Sequence, residues 1–286
     1  MSADARVHCK SGMALTLQDL PIGEHRVPCS ECAKRPSDKT LGVTVDHVGG
    51  VWHCFRCGTA GGWRADRQNA RSGATLPPTR PDRHLALASN WLALWRTLAP
   101  IRGTAEAYLQ ARSCALPPAD GDLRYTESLQ HPSGYIGPAL VALVTDAVTR
   151  EPLTLHRTWI RPDGSKADVD PPRLLLGKHR KQGGVIRLWP DDAVMTGLAI
   201  AEGIETALTV AEVFTPVWSA IDAGNLAALP VLAGIESLLI VADHDDAGLR
   251  AAEQCAERWY RAGCKVRIAK SPIPGEDLND YARRAA

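Results

Sequence analysis

Leu198–Ala199–Ile200–Ala201–Glu202–Gly203 is a short apolar run that ends in a carboxylate and a glycine. Leu238–Leu239–Ile240–Val241–Ala242–Asp243 repeats the form, and His244–Asp245–Asp246–Ala247–Gly248 continues it. Short apolar runs bounded by turn residues read as buried strands, and the segments between them have helical spacing. A helix is expected from Ile204 to about Val213, a strand at Val217–Ala220, and a short helix after Gly224–Asn225. A longer helix should follow Gly248 as far as Ala262, then a strand at Lys265–Ala269, before Pro274–Gly275–Glu276–Asp277 opens a last helix. Strands alternating with helices imply right-handed crossovers and an α/β fold with a doubly wound, mostly parallel sheet. Such sheets bind their ligands at the carboxyl ends of the strands, where Glu202, Asp243 and Asp245 fall.

Carboxylates crowded on one sheet edge repel one another unless a cation lies among them. Oxygen donors with little Cys or His nearby suit a hard ion such as Mg2+ (or Mn2+), completed by phosphate oxygens. Helix capping is the competing reading of these acids. It accounts for Asp246 but not for acids that end two separate strands.

Upstream, Ala139–Val144, Leu153–Trp159, Arg173–Leu176 and Val185–Leu188 are strand-like. Residues 156–187 carry eight Lys+Arg against three Asp, so Arg157, Arg161, Arg173, Lys178, Arg180 and Arg187 are candidates for holding a nucleic-acid backbone or nucleotide phosphates. A solvated sheet face explains the same charge. Helical spacing recurs at Leu85, Ala88, Trp91, Leu92 and Trp95 and again over Thr104–Ala111, and Trp91 and Trp95, one turn apart, read as core. Residues 1–193 hold 25 Lys+Arg against 19 Asp+Glu, and residues 194–286 hold 8 against 13. A basic front and an acidic back fit an anion-binding region beside a cation-binding one.

Of eight cysteines, four form Cys29-x-x-Cys32 and Cys54-x-x-Cys57 with 21 residues between the pairs. Two thiolates two residues apart chelate one ion from a tight turn, and a second such turn completes a tetrahedral sulfur site for structural Zn2+. Val43–Val45 and Gly50–His53 alternate as strands, with Gly58, Gly61 and Gly62 closing the second turn, which makes a zinc ribbon. Cys9, Cys114, Cys255 and Cys264 have no partner at ligand spacing and read as small buried residues. Arg64–Arg83, with Pro77, Pro78 and Pro81, reads as a basic linker. The expected division is a zinc-binding ribbon at 1–63, the linker at 64–83, a basic α+β subdomain at 84–192 and a catalytic domain at 193–286.

At 286 residues, 45% hydrophobic and 23% charged, the composition excludes a disordered or collagen-like chain. No apolar run reaches membrane length, and Met1–Leu20 lacks the basic-then-apolar layout of a signal peptide, so a soluble, cytoplasmic protein without a membrane partner is expected. No G-x-x-x-x-G-K-[ST] occurs, so the chain has no P-loop of its own.

Ala201–Glu202–Gly203, Asp243-x-Asp245-x-Ala247–Gly248 and Gly275-x-Asp277-x-x-Asp280 resemble the Toprim domain. Trp52–His53–Cys54–Phe55–Arg56–Cys57–Gly58 through Gly62 resembles the zinc ribbon of bacterial and phage DNA primases, and Pro172–Arg173 through Lys178, with Val185–Leu188, resembles the basic subdomain between the two. The chain is most similar to the primases of phages, plasmids and integrated mobile elements, whose Toprim reads Glu-Gly-Ile-Glu-Thr-Ala-Leu, as at residues 202–208. It departs from the cellular primases in offering four Cys where they use a His among the zinc ligands, and Thr206 where they place an acid, with Glu205 one position early. The resemblance implies a DNA-directed primase that makes short RNA primers on single-stranded DNA from NTPs, with a helicase as a separate partner. Glu202, Asp243 and Asp245 would be catalytic, and with Asp277 would hold Mg2+. Two other classes remain: a non-catalytic zinc and Toprim recombination mediator, and a Toprim nuclease.

Overall fold

A computed structural model describes residues 6–8, 14–33, 38–47, 49–54, 56–57, 59–64 and 86–285. The expected linker beyond Arg64, Leu85, Cys9 and Gly58 lie outside these residues. The chain divides into two compact units, Met1–Pro81 and Asp82–Ala286.

In the first unit, β1 (Arg6–His8) pairs with β2 (Ala14–Thr16). A separate antiparallel sheet runs in chain order through β3 (Gly23–Val27), β4 (Leu41–Asp46), β5 (Gly49–Cys54) and β6 (Ala60–Arg64). Period-two alternation puts Leu41, Val43 and Val45 on one face, packed with Leu17, Cys29 and Cys54. The apolar cluster is small, and two of its six buried members are cysteines.

The second unit opens with α1 (Ser89–Thr97) and α2 (Thr104–Gln110). Trp95 is buried and its indole N–H donates to Val141 O at 3.1 Å, while Trp91 packs partly buried beside it, as core residues. An antiparallel sheet follows, built on the long strand β8 (Ile136–Asp146), flanked by β7 (Leu123–Gln130), β9 (Pro152–Trp159), β10 (Arg173–Leu175) and the short β11 (Gly184–Val185).

The second sheet of this unit is parallel, in the order β13 (Val217–Ser219), β12 (Gly197–Ala201), β14 (Ser237–Ala242), β15 (Lys265–Lys270). Leu198 and Ile200 face α4 (Ala223–Ala228) and α5 (Asp246–Arg261), while Ala199 and Ala201 face α3 (Ile204–Val210). Helices on both faces make the sheet doubly wound, as the strand–helix alternation implies. The helix α3 stops at Val210, short of Val213, where Glu212 and Val213 turn with bonds to Thr209 O and Val210 O ahead of Pro216. The last helix, α6, is Leu278–Ala285. Ile186 exchanges two backbone hydrogen bonds with Ser219, of 2.8 and 3.0 Å, tying the two sheets together. One apolar core runs from Tyr108, Leu123 and Leu140 to Ala201, Leu208 and Val241.

Candidate active site

Register pairs Ala201 of β12 with Val241 of β14, so Glu202 and Asp243 leave adjacent strands at the same edge. Glu202 Oε1 and Asp243 Oδ1 are buried and have no hydrogen-bond partner among the described residues. Burial, then the negative charges of Asp243, Asp245 and Asp222, push the Glu202 carboxyl up to about 8. Burial, then Asp277 and Asp245, raise Asp243 to about 6. Buried oxygens without partners are costly in a folded protein. Hard oxygen donors of this kind fit a divalent cation, and the residues present suit Mg2+ or Mn2+.

Asp245 Oδ1 accepts from Gly248 N at 2.8 Å and caps α5, so the capping role that the sequence suggests for Asp246 belongs to Asp245. Asp277 Oδ1 accepts from Asp280 N at 2.8 Å at the start of α6. The backbone of His244 fixes this segment beside the end of β14, donating to Glu276 O at 3.2 Å and accepting from Gly275 N at 2.7 Å. Asp222, which no sequence pattern marks, follows β13, caps α4 and pairs with Lys181.

Basic side chains share a cavity with Asp243. A cavity of about 370 Å³ is lined by Arg112, Lys166 and Arg173 together with Asp243, Asp277 and Asp280, and also by Gly203, Glu205 and Thr206. The sequence marks Arg173, the acids and, within the basic cluster at 156–187, Lys166, but not Arg112 or Glu205 as site residues. A larger cavity of about 600 Å³, lined by Trp95, Asp122 and Arg187 among others, contains none of the strand-end acids.

The remaining basic candidates divide. Arg187 is buried, bonded to Asp191 Oδ1 at 2.8 Å and Ala147 O at 3.0 Å, and stacked 4.6 Å from the Trp218 ring. Its expected phosphate role is corrected: every side of the guanidinium is spent inside the fold. Arg157 donates to Leu175 O at 3.3 Å and lies 5.5 Å from the Trp159 ring, and Arg180 pairs with Asp146 at 2.9 Å; neither lines the acidic cavity. Arg161 and Lys178 are exposed and do not line the acidic cavity.

In the first unit, Cys29, Cys32, Cys54 and Cys57 bring their sulfurs within 4.8 Å of one another. Cys29 and Cys57 sulfurs are 3.7 Å apart, and Cys32 and Cys54 sulfurs 3.4 Å. Four thiolates about 2.3 Å from one ion at tetrahedral corners stand about 3.8 Å apart, so the quartet fits Zn2+. Burial opposes ionisation of Cys54, but backbone N–H groups of Cys57 and Arg56 and the neighbouring thiol of Cys32 outweigh it and lower the group to about 6. Among the described residues this quartet alone closes to that spacing.

The model of the Toprim domain matches residues 197–286, and that of a Domain of unknown function (DUF7146) matches residues 86–188. A search of curated proteins gave no match. Among solved structures, the chain is similar to a DNA primase domain from Pseudomonas aeruginosa, at 15% identity and a TM-score of 0.43 over 68% of this chain and 73% of that one. It is similar to the Aquifex aeolicus primase (zinc binding and RNA polymerase domains), at 14% identity and a TM-score of 0.44 over 92% and 76%. It is also similar to the primase fragment of the bacteriophage T7 primase-helicase protein, at 19% identity and a TM-score of 0.42 over 91% and 95%. Residues 197–286 are a Toprim domain, on a chain that also holds a four-cysteine cluster of the zinc-ribbon kind, the pairing on which the sequence resemblance rests.

Proposed function

We propose that the chain is a DNA primase that joins NTPs into short RNA primers on single-stranded DNA, in the replication of a mobile element. The observation that carries this reading is the pair of buried carboxylate oxygens of Glu202 and Asp243, without hydrogen-bond partners among the described residues, on adjacent strand ends of a region that matches the Toprim domain, Asp243 sharing a cavity with Arg112, Lys166 and Arg173. Glu202, Asp243, Asp245 and Asp277 would hold Mg2+ or Mn2+. The ion, when bound, neutralises charge that grows on the transferring and leaving phosphate oxygens. Arg112, Lys166 and Arg173 would hold the phosphates on the other side of the cavity. Glu202, on the strand end beside Asp243, is the candidate for general base toward an attacking 3'-hydroxyl or for support of the metal ligands.

The proposed division of labour keeps a zinc ribbon at 1–63 for contact with exposed template bases, a basic linker at 64–83, a basic subdomain at 84–192 and the catalytic domain at 193–286. Strand separation would come from a helicase partner. No helix among the described residues is long and apolar enough to cross a membrane.

Incubation with single-stranded DNA, labelled NTPs and Mg2+, with products sized on a gel, tests the proposal. Labelled oligoribonucleotides are expected. Degraded template would make the chain a Toprim nuclease, and unaltered template with no product would make it a binding protein.

A further inference from the structure

We infer that Glu205 is a positioning residue: anchored by Tyr108, it holds the Lys166 ammonium in the acid-lined cavity to receive the phosphate oxygens of a nucleoside triphosphate. The inference rests on the nucleotide reading of that cavity and adds a residue to it. Glu205 lies in the first turn of α3 and is 7% exposed. Its Oε1 accepts from the Tyr108 hydroxyl at 2.8 Å and stands 3.4 Å from Lys166 Nζ. Burial works against its charge, but Lys166, Arg173 and the Tyr108 hydroxyl outweigh it and hold the group at about 2, so it is a carboxylate at any working pH. The His156 imidazole and the Cys114 thiol also lie within its field, and that thiol donates to its backbone oxygen at 3.4 Å.

The device has two anchors. The chain between β9 and β10 turns back so that Lys166 bridges Ile160, with Gly164 in the left-handed region at φ 80°. A Cβ on Gly164 would come within 3.0 Å of Ala111 Cβ, and Arg112 Nη1 donates to Gly164 O at 3.1 Å. One helix end therefore supplies both Arg112, which pins the loop that carries Lys166, and Tyr108, which pins the carboxylate that aims it. Donor geometry indicates the ligand. The cavity is lined by three cations, Arg112, Lys166 and Arg173, and by four carboxylates, Glu205, Asp243, Asp277 and Asp280, with Arg112 3.9 Å from Asp280. Lys166 has three N–H donors, more than the single Glu205 oxygen it meets can use. A polyanion bound to a cation held by the facing acids supplies the missing acceptors.

The test measures binding of inorganic tripolyphosphate with Mg2+ by calorimetry to the whole chain, in four variants and the parent. Lys166→Met and Glu205→Gln should each weaken binding by about tenfold, the size expected from losing one charge-assisted hydrogen bond. Tyr108→Phe, which keeps the ring and removes only the anchor, should weaken it by about twofold to threefold. The double variant Glu205→Gln/Lys166→Met should bind no worse than Lys166→Met alone, because residues acting through one another are not additive. In priming assays Glu205→Gln should raise the KM for NTP more than it lowers kcat. Parent-like binding by Glu205→Gln, or losses that multiply in the double variant, would overturn the inference. Coupled losses in a protein that makes no primers would sink the primase reading and leave this one standing; primers made with an unchanged KM in Glu205→Gln would do the reverse.

Discussion

Glu202 Oε1 lies against Gly248 in the first turn of α5. A Cβ at Gly248 would stand 2.9 Å from that oxygen and 2.5 Å from the backbone oxygen of Asp243. The absent side chain lets the amino end of a sixteen-residue helix, partly positive, approach the acids. Gly248→Ala is expected to cost about 1–3 kcal/mol, since the obstructing atom is backbone and cannot swing away. Thermal unfolding should show the loss, and primer yield should fall further than the folded fraction does.

The acids make stability depend on pH with a definite sign. Glu202 and Asp243 rise from ordinary values of 4.5 and 3.8 to about 8 and about 6 in the folded chain. The folded state thus keeps protons that the unfolded chain releases. Their contribution is full below about pH 4 and is lost as pH climbs through about 6 and then about 8. Melting temperature without divalent metal should fall across that window, and Mg2+ should flatten the fall. Glu202→Gln should remove the upper part of it.

Cys54→Ser should release zinc and unfold the first unit, whose buried cluster includes Cys29 and Cys54 themselves. Residues Asp82–Ala286 form a unit with its own cores and should keep their melting transition. Metal analysis and calorimetry check both halves of the expectation. A single joint transition lost on chelation would contradict it.

Arg173 and Arg187 should separate in mutagenesis. Arg187→Ala breaks a buried pair and should cost about 3–5 kcal/mol while leaving the salt dependence of single-stranded DNA binding alone in the folded fraction. Arg173→Ala, at an exposed cavity wall, should leave the melt near the parent's and reduce the log–log salt slope by about 0.7 if it meets one phosphate.

Glu202, Asp243 and Asp245 are legible in the sequence because parallel strands in βα repeats bring their carboxyl ends to one edge whatever the loops do. The cysteine quartet is legible because chelate spacing is local, with the antiparallel pairing of β4 and β5 placing Cys54 opposite Leu41. Arg112 and Glu205 are not, and Lys166 is marked only as one of a basic cluster, since their meeting depends on contacts such as Tyr108 to Glu205, 97 residues apart. Arg187 shows the opposite failure. Charge composition marks it as basic surface, whereas its burial follows from Asp191, Thr145 and Trp218 closing around it, which no local pattern records. Asp245 was separable from Asp246 only by the cap geometry of α5.

The central claim, that the strand-end acids hold a catalytic divalent ion, is tested most directly with Asp243→Asn. Primer synthesis on single-stranded DNA with NTPs and Mg2+ is measured beside the metal-free melting temperature. The account predicts no primers, retained template binding, and a melting temperature equal to or above the parent's, because one of several mutually repelling carboxylates is gone. Primer yield at the parent level, or a fall in yield that only tracks a fall in folded fraction, would make Asp243 a structural carboxylate and contradict the claim.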